Sequence, residues 1–347
     1  MPLSHRWRRV VLASSQQTPP PSMLPTLEPG MQVGRYQLVT QIARGGMATV
    51  WVAFRQRSDG RREVVALKVL MPHLASEETF VSMFLDEARL LSRIQYPNVV
   101  AILDVGTDSG LPYVALEWVD GDALSSLLKV LEKRKKDLPL SFALRVVGDC
   151  CLGIDAAHEL RDARGVPLEV VHRDISPSNM LISAEGDVKL IDFGVARAAQ
   201  RLSEQTRSGV LKGKVSYMAP EQVLRDSIDR RTDIWSAGVV LYRLVAGQMP
   251  YPGSLGEVLV QIKLGDTIRP LPAHTPRAVA QIVHRAMTRN ADERFQTAAE
   301  MRRAIQSAYA DVCSPLPRRE LGQFLVTHLG AHMQERRAAL AAALGPA

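Results

Sequence analysis

The chain has 347 residues, 46% of them hydrophobic, with a formal net charge of +7 and three cysteines. That length exceeds one ordinary domain and supplies apolar material for more than one core, while a basic excess spread along the whole chain is no nucleic-acid footprint. Cys150 and Cys151 are adjacent and leave only Cys313, so no disulfide framework is expected and a reducing compartment, the cytoplasm, fits.

Residues 1–33 carry Pro19, Pro20, Pro21, Pro25 and Pro29 among polar residues and read as a disordered leader, with Met23 and Met31 as alternative starts. His5-Arg6-Trp7-Arg8-Arg9 precedes only Val10-Val11-Leu12-Ala13, too short an apolar run for a signal-peptide core. No stretch approaches a membrane span in length.

From Tyr36 the pattern turns to short strands, Tyr36 to Ile42, Thr49 to Phe54 and Val64 to Leu70, which predict a small antiparallel sheet. Gly45-Gly46 separates the first two and lets backbone approach a ligand closely, though alone it reads as a hairpin turn. Alternation along the third strand puts Ala66 and Lys68 on one face, and an ammonium on an apolar strand face asks for a counter-charge. The spacing predicts a helix over Ser76 to Ile94 with Phe80, Phe84, Leu91 and Ile94 as its apolar stripe. Glu87 lies on that stripe, where a carboxylate needs a partner, and Lys68 can supply it. Two more strands follow, Val99 to Val105 and Leu111 to Glu117. Beyond Asp120-Gly121 the chain reads as mostly helical to about Tyr309, with the basic run from Lys129 to Lys136 as a solvated helix face.

Three segments carry the chemistry. His172-Arg173-Asp174-Ile175-Ser176-Pro177-Ser178-Asn179 is followed by Asp192-Phe193-Gly194 and then by Ala219-Pro220-Glu221. Asp174 and Asn179 on one loop can face Asp192 across a cleft, giving one proton acceptor and two hard oxygen ligands for Mg²⁺. Asp233, in Thr232-Asp233-Ile234-Trp235, and Arg294, in Asp292-Glu293-Arg294-Phe295, complete the pattern.

In these motifs and their order the chain resembles the eukaryotic-type (Hanks-type) serine/threonine protein kinases over about residues 36–308. Ile175-Ser176-Pro177 and Leu211-Lys212-Gly213-Lys214 are similar to bacterial kinases of the myxobacterial type. The resemblance implies an α+β bilobal fold: a small antiparallel β-sheet N-lobe with one helix (about 34–117), a hinge (about 118–121) and a larger, mainly helical C-lobe (about 122–308). A helical C-terminal tail (309–347) would follow. It implies ATP and Mg²⁺ as cofactors, and a glycine-rich loop over the phosphates formed by Ile42, Ala43, Arg44, Gly45, Gly46, Met47, Ala48, Thr49 and Val50. Lys68 would hold the α and β phosphates and pair with Glu87. Leu116 would be the gatekeeper, Glu117 and Val119 would offer backbone groups to adenine, and Val50, Ala66 and Leu181 would sandwich the ring. Asp174 would be the base, Asn179 and Asp192 the metal ligands. Leu91, Ile102, His172 and Phe193 would stack, Asp233 would pin the catalytic loop and Glu221 would pair with Arg294.

The chain departs from the family pattern in the glycine-rich loop, where Ala43 and Ala48 replace two glycines, and in the catalytic loop, where Ser176 replaces the usual lysine. Lys214 stands where a threonine is usual. Lys214 is expected to reach into the cleft and supply the missing cation; the alternative is a lysine pointing to solvent. Ser203, Thr206 and Ser208 are candidate phosphorylation sites whose phosphates would pair with Arg173. The expected function is transfer of the γ-phosphoryl of ATP to serine or threonine hydroxyls of proteins, the chain itself included, in bacterial signalling. The alternatives are a nucleotide-binding pseudokinase scaffold and a small-molecule phosphotransferase of the aminoglycoside or choline kinase kind. In the tail, Leu321, Phe324, Leu325 and Leu329 recur at helical spacing, which suits packing onto the C-lobe or a homodimer or regulatory-partner interface.

Overall fold

A computed structural model describes residues 26–193 and 214–344. Most of the leader and the candidate phosphorylation sites Ser203, Thr206 and Ser208 lie outside the described residues, as do Gly194 and Gly213.

Nine-residue strands β2 (Tyr36–Arg44), β3 (Ala48–Gln56) and β4 (Arg62–Leu70) follow the short β1 (Gln32–Val33). After helices α1 (Pro72–Ala75) and α2 (Glu78–Leu91), strands β5 (Ile102–Asp108) and β6 (Leu111–Glu117) complete an antiparallel sheet in the order β1-β2-β3-β4-β6-β5. Alternation decides what each face does. Val65, Leu67 and Val69 are buried against Phe84 and Ala88 of α2, while Ala66 and Lys68 remain half-buried on the other face.

The helix expected over Ser76 to Ile94 is shorter at both ends, Glu78–Leu91, and a separate one-turn helix precedes it. Pro72 suits the first turn of α1, and Glu77 has extended backbone, so α2 starts only at Glu78. The strand expected from Val99 begins at Ile102, because Val99 and Val100 are used elsewhere: Val99 bridges Leu190 in parallel, and the Val100 amide donates to the Leu190 carbonyl at 2.9 Å. These two valines join the lobes instead of lengthening the sheet.

A second, three-stranded sheet falls in the region read as helical: β7 (Gly121–Ala123), β8 (Met180–Ser183) and β9 (Val188–Leu190). Strands of three and four residues are too short for a period-2 pattern to show. Gly121 has a steric reason to be glycine, since a Cβ there would meet the Ile182 carbonyl oxygen at 2.0 Å.

The rest of the C-lobe is helical: α3 (Leu124–Lys133), α4 (Leu140–His158), α5 (Pro220–Leu224), α6 (Arg231–Ala246), α7 (Leu255–Leu264), α8 (Arg277–Ala286), α9 (Ala298–Val312) and α10 (Arg318–Leu344). α4 and α6 are almost wholly buried and form the axis of this core, with Phe142, Trp235 and Tyr242 among its largest side chains. The expected apolar stripe of α10 faces inward. Leu321, Leu325, Leu329 and Met333 are buried in the C-lobe core, and Phe324 packs its ring on Phe142 at 4.9 Å between centroids. Those residues are therefore covered by the chain itself, and a partner would meet a different face of the helix.

Candidate active site

The catalytic loop is fixed from below by one carboxylate. Asp233, at the start of α6 and wholly buried, accepts the His172 amide on Oδ2 and the Arg173 amide on Oδ1, both at 2.8 Å, and is 2.8 Å from His158 Nε2. Burial alone would raise its pKa, but the hydrogen bond and charge of His158 and the bond from the His172 amide outweigh it and hold Asp233 below the usual carboxylate range. Burial pushes the His172 imidazole down despite the neighbouring carboxylates. A neutral ring matches its contacts, with Nδ1 accepting the Asp174 amide at 3.3 Å and Nε2–H donating to the Ile191 carbonyl at 3.1 Å. The same ring lies 4.3 Å from that of Phe193, which is buried in one cluster with Leu91; Ile102 lines the adjoining cavity.

The sign of the pH dependence follows. A depressed His pKa and depressed carboxylate pKa values both mean that the unfolded chain binds more protons, so stability is lost on acidification. Loss should begin below the ordinary His value of 6.5 through His172 and steepen below 4.5 and 3.8 as Glu221 and Asp233 are protonated. Denaturant titrations from about pH 8 to about pH 3 are expected to show a stability that holds above the ordinary His value and falls below it, and a stability flat across that range would contradict the assignment.

Two residues beside the reacting groups adopt left-handed backbone without being glycine: Arg173 at φ +64° and Asp192 at φ +54°. Such a conformation costs roughly 1–2 kcal/mol per residue and persists only where neighbours impose it. At Arg173 they are Asp233, on the amide, and Gln222, whose Nε2 donates to the Arg173 carbonyl at 3.0 Å.

Above this anchor the proposed chemical groups converge. Asn179 Nδ2 donates to the Asp174 carbonyl at 2.8 Å and to its Oδ2 at 2.9 Å. Lys214 Nζ lies 2.7 Å from Asp174 Oδ2 and 3.4 Å from Asn179 Oδ1. Ser176 is turned inward, 2% exposed, with its hydroxyl 3.0 Å from that of Ser178. The Ile191 amide donates to the Asn179 carbonyl at 3.0 Å, which ties the catalytic loop to the segment bearing Asp192. Lys68 Nζ reaches Asp192 Oδ1 at 2.5 Å from the other lobe. Glu87, the expected partner of Lys68, lines the same cavity as Lys68 and Asp192, together with Leu91 and Phe193. The Lys68–Asp192 contact joins the lobes directly.

Asn179 and Asp192 offer a carboxamide and a carboxylate oxygen, and among the described residues no group of three or more His, Cys, Asp or Glu could hold a metal. A short set of hard oxygens fits Mg²⁺, which keeps water and phosphate in its remaining positions, better than an ion needing an all-protein cage.

The glycine-rich loop is the hairpin between β2 and β3. The Gly45 amide donates to the Ala48 carbonyl at 2.9 Å, and the Met47 carbonyl accepts the Met71 amide at 2.8 Å. Neither Gly45 nor Gly46 has a positive φ, and a Cβ would meet nothing closer than 3.5 Å at either, so the turn itself does not demand them. Ile42, Ala43 and Arg44 end β2, and Thr49 and Val50 run along β3. Val50 pairs with Lys68 across the sheet, and Ala66 pairs with Leu116, so these residues roof the cleft while Leu181 of β8 lies on the C-lobe side. Val119 follows at the connection. The Glu117 amide donates to the Ala101 carbonyl at 2.8 Å.

Sequence reasoning missed a role for the Glu117 side chain. Its carboxylate takes Lys189 Nζ at 2.7 Å, joining the connection to β9 three residues before Asp192. A lysine between Val188 and Leu190 in an apolar run was the available signal.

Glu221 and Arg294 form a buried two-pronged pair, with bonds of 2.7 and 2.9 Å. Burial would raise the Glu221 pKa, yet the Arg294 hydrogen bond and charge, helped by Thr232, bring it below the ordinary value. Arg294 is fully buried, and its guanidinium lies 5.0 Å from the Trp235 ring centroid. Arg294→Ala strands that carboxylate and is expected to cost about 3–5 kcal/mol, read by urea denaturation; a cost of a few tenths would show the pair to be dispensable.

The two-lobed fold brings two ammonium groups, an amide and two carboxylates to its junction. The protein kinase domain family matches residues 36–310, and the chain belongs to that family. It is 36% identical over 321 residues to the tyrosine-protein kinase MasK of Myxococcus xanthus, an alignment covering 90% of this chain and 50% of MasK. It is 35% identical over 275 residues to the serine/threonine-protein kinase PknB of Mycobacterium leprae (77% and 42%) and 32% identical over 292 residues to the serine/threonine-protein kinase Pkn1 of Myxococcus xanthus (81% and 39%). The chain spans half or less of the length of these relatives. The bilobal fold and the likeness to bacterial, including myxobacterial, kinases are both borne out.

Proposed function

We propose that the chain transfers the γ-phosphoryl group of Mg-ATP to serine or threonine hydroxyls of proteins, itself among them, in bacterial signal transduction. The observation that carries the reading is the contact of Asp174 with Asn179 and Lys214 in the C-lobe, and the contact of Asp192, next to the segment tied to Asn179, with Lys68 of the N-lobe, 124 residues away in sequence. In the transfer a bond forms between the acceptor oxygen and the γ-phosphorus, the bond to the β–γ bridging oxygen breaks to leave ADP, and Asp174 takes the hydroxyl proton. Bound Mg²⁺ would neutralise phosphate charge, with Asn179 and Asp192 as its protein ligands. Lys68 orients the phosphates from the N-lobe. Lys214 supplies, from the activation segment, the cation that Ser176 cannot, and its contacts with Asp174 and Asn179 support that role.

For the acceptor, two of the relatives described are named serine/threonine kinases and one a tyrosine kinase. The stretch from His172 to Asn179 contains Arg173 and no second arginine of the kind tyrosine kinases carry there. That favours the aliphatic hydroxyls. Cytoplasmic action is part of the proposal, and among the described residues no helix is long and apolar enough to cross a membrane. Incubation with γ-labelled ATP and a protein acceptor, followed by phosphoamino-acid analysis, is expected to give phosphoserine and phosphothreonine. Phosphotyrosine alone would overturn the acceptor class, and label on small metabolites only would favour the small-molecule alternative.

A further inference from the structure

α10 does more than pack on the C-lobe. Its first half is seated there: Leu321, Leu325, Leu329 and Met333 are buried, and Arg318 pairs with Asp187 at 2.6 Å. Gly322 lets the helix approach the β8–β9 turn, since a Cβ would meet the Ala184 carbonyl oxygen at 2.1 Å. The helix then passes the connection between the lobes and grips it by charge. Arg337 makes a two-pronged pair with Asp120 (2.6 and 2.9 Å), Arg336 reaches Asp122 at 3.0 Å and the Gly121 carbonyl at 2.5 Å, and His332 lies 2.8 Å from Asp122. Asp122 is only 6% exposed, so its charge depends on these partners. The last turn reaches the other lobe. Leu340 and Leu344 pack with Val39, Val52, Phe54, Val64 and Trp118. Val52 and Phe54 share their sheet face with Val50, and Val64 shares its face with Ala66 and Lys68. The end of the helix therefore supports the same sheet surface that roofs the nucleotide cleft.

We propose that α10 is a brace between the lobes and that Arg336 and Arg337 are positioning residues for nucleotide binding, fixing how far the connection can open. The proposal rests on the nucleotide-binding reading above. Without the grip on Asp120 and Asp122 the two lobes sample wider separations, and the apparent affinity for nucleotide falls by the fraction of molecules that leave the competent arrangement; a competent population of one tenth raises Kd about tenfold.

The test uses the full chain with Arg336→Ala/Arg337→Ala, with Leu340→Asp/Leu344→Asp, which removes only the N-lobe contact, and with Arg336→Lys/Arg337→Lys. Nucleotide affinity is measured by titration with a fluorescent ATP analogue and Mg²⁺, alongside kcat, KM for ATP and thermal unfolding. Both disrupting variants are expected to raise Kd and KM about tenfold with kcat at saturating ATP retained and a cooperative melt, and the lysine pair to recover part of the loss. Wild-type affinity in both disrupting variants, with hydrogen exchange showing residues 336–344 released, would overturn the brace. So would a parallel loss of affinity, kcat and melting temperature, which marks a merely structural helix. A wild type that binds no nucleotide while folding cooperatively would overturn the functional reading, and the brace with it.

Discussion

Asp174→Asn is expected to lower phosphoryl transfer by about 10²- to 10⁴-fold, the range for losing a positioned general base, while nucleotide affinity stays close to wild type. The substitution keeps the side chain's shape, and its carbonyl oxygen can still accept from Asn179 Nδ2, whose other bond goes to the Asp174 main chain. The anchor through Asp233 engages only the amides of His172 and Arg173 and is untouched. What disappears is the proton acceptor and the counter-charge to Lys214. Single-turnover transfer and nucleotide titration on the same preparations separate the two. Unchanged transfer would remove Asp174 from the chemistry, and unchanged activity together with bound nucleotide would point to a different base.

Lys214→Ala is expected to reduce kcat by about 10²- to 10³-fold, the usual loss when a preorganised donor to developing charge is removed. Lys214 Nζ is placed between Asp174 Oδ2 and Asn179 Oδ1, and Ser176 has no charge and faces inward. Lys214→Arg keeps the charge with a different fork and should recover part of the rate. Because Lys214 and Asp174 touch, their effects should not add, and the double variant should be scarcely slower than Asp174→Asn alone. Near wild-type transfer by Lys214→Ala, with Lys68→Ala inactive, would sink the compensation.

The parts of the fold legible in the sequence were those with strong periodicity or fixed spacing. β6 has the expected limits, Leu111–Glu117, with Leu111 to Ala115 buried and Leu116 and Glu117 half-buried where the connection begins. The placing of Lys68 follows from one strand's alternation, and the loop from His172 to Asn179 from its motif. Short elements escaped. β7, β8 and β9 carry too few residues to show a period, and the apolar pair Val99–Val100 reads the same whether it extends a sheet or bridges lobes. Partner choice was harder still. Lys68 pairs with Asp192, and Lys189 with Glu117, because the lobes bring distant residues together, which no local pattern encodes. The leucines of α10 at helical spacing show one apolar face, but His332, Arg336 and Arg337 give no hint of Asp120 and Asp122, more than 200 residues earlier.

Peptide-resolved hydrogen exchange on the wild type, with and without ATP and with and without Mg²⁺, asks most directly whether these separated segments form one nucleotide cleft. Joint, Mg²⁺-dependent protection of 42–50, 117–119, 174–181 and 189–193 is the expected result. Protection confined to one of these segments, or none in any of them at saturating Mg-ATP, would contradict a single phosphotransfer centre.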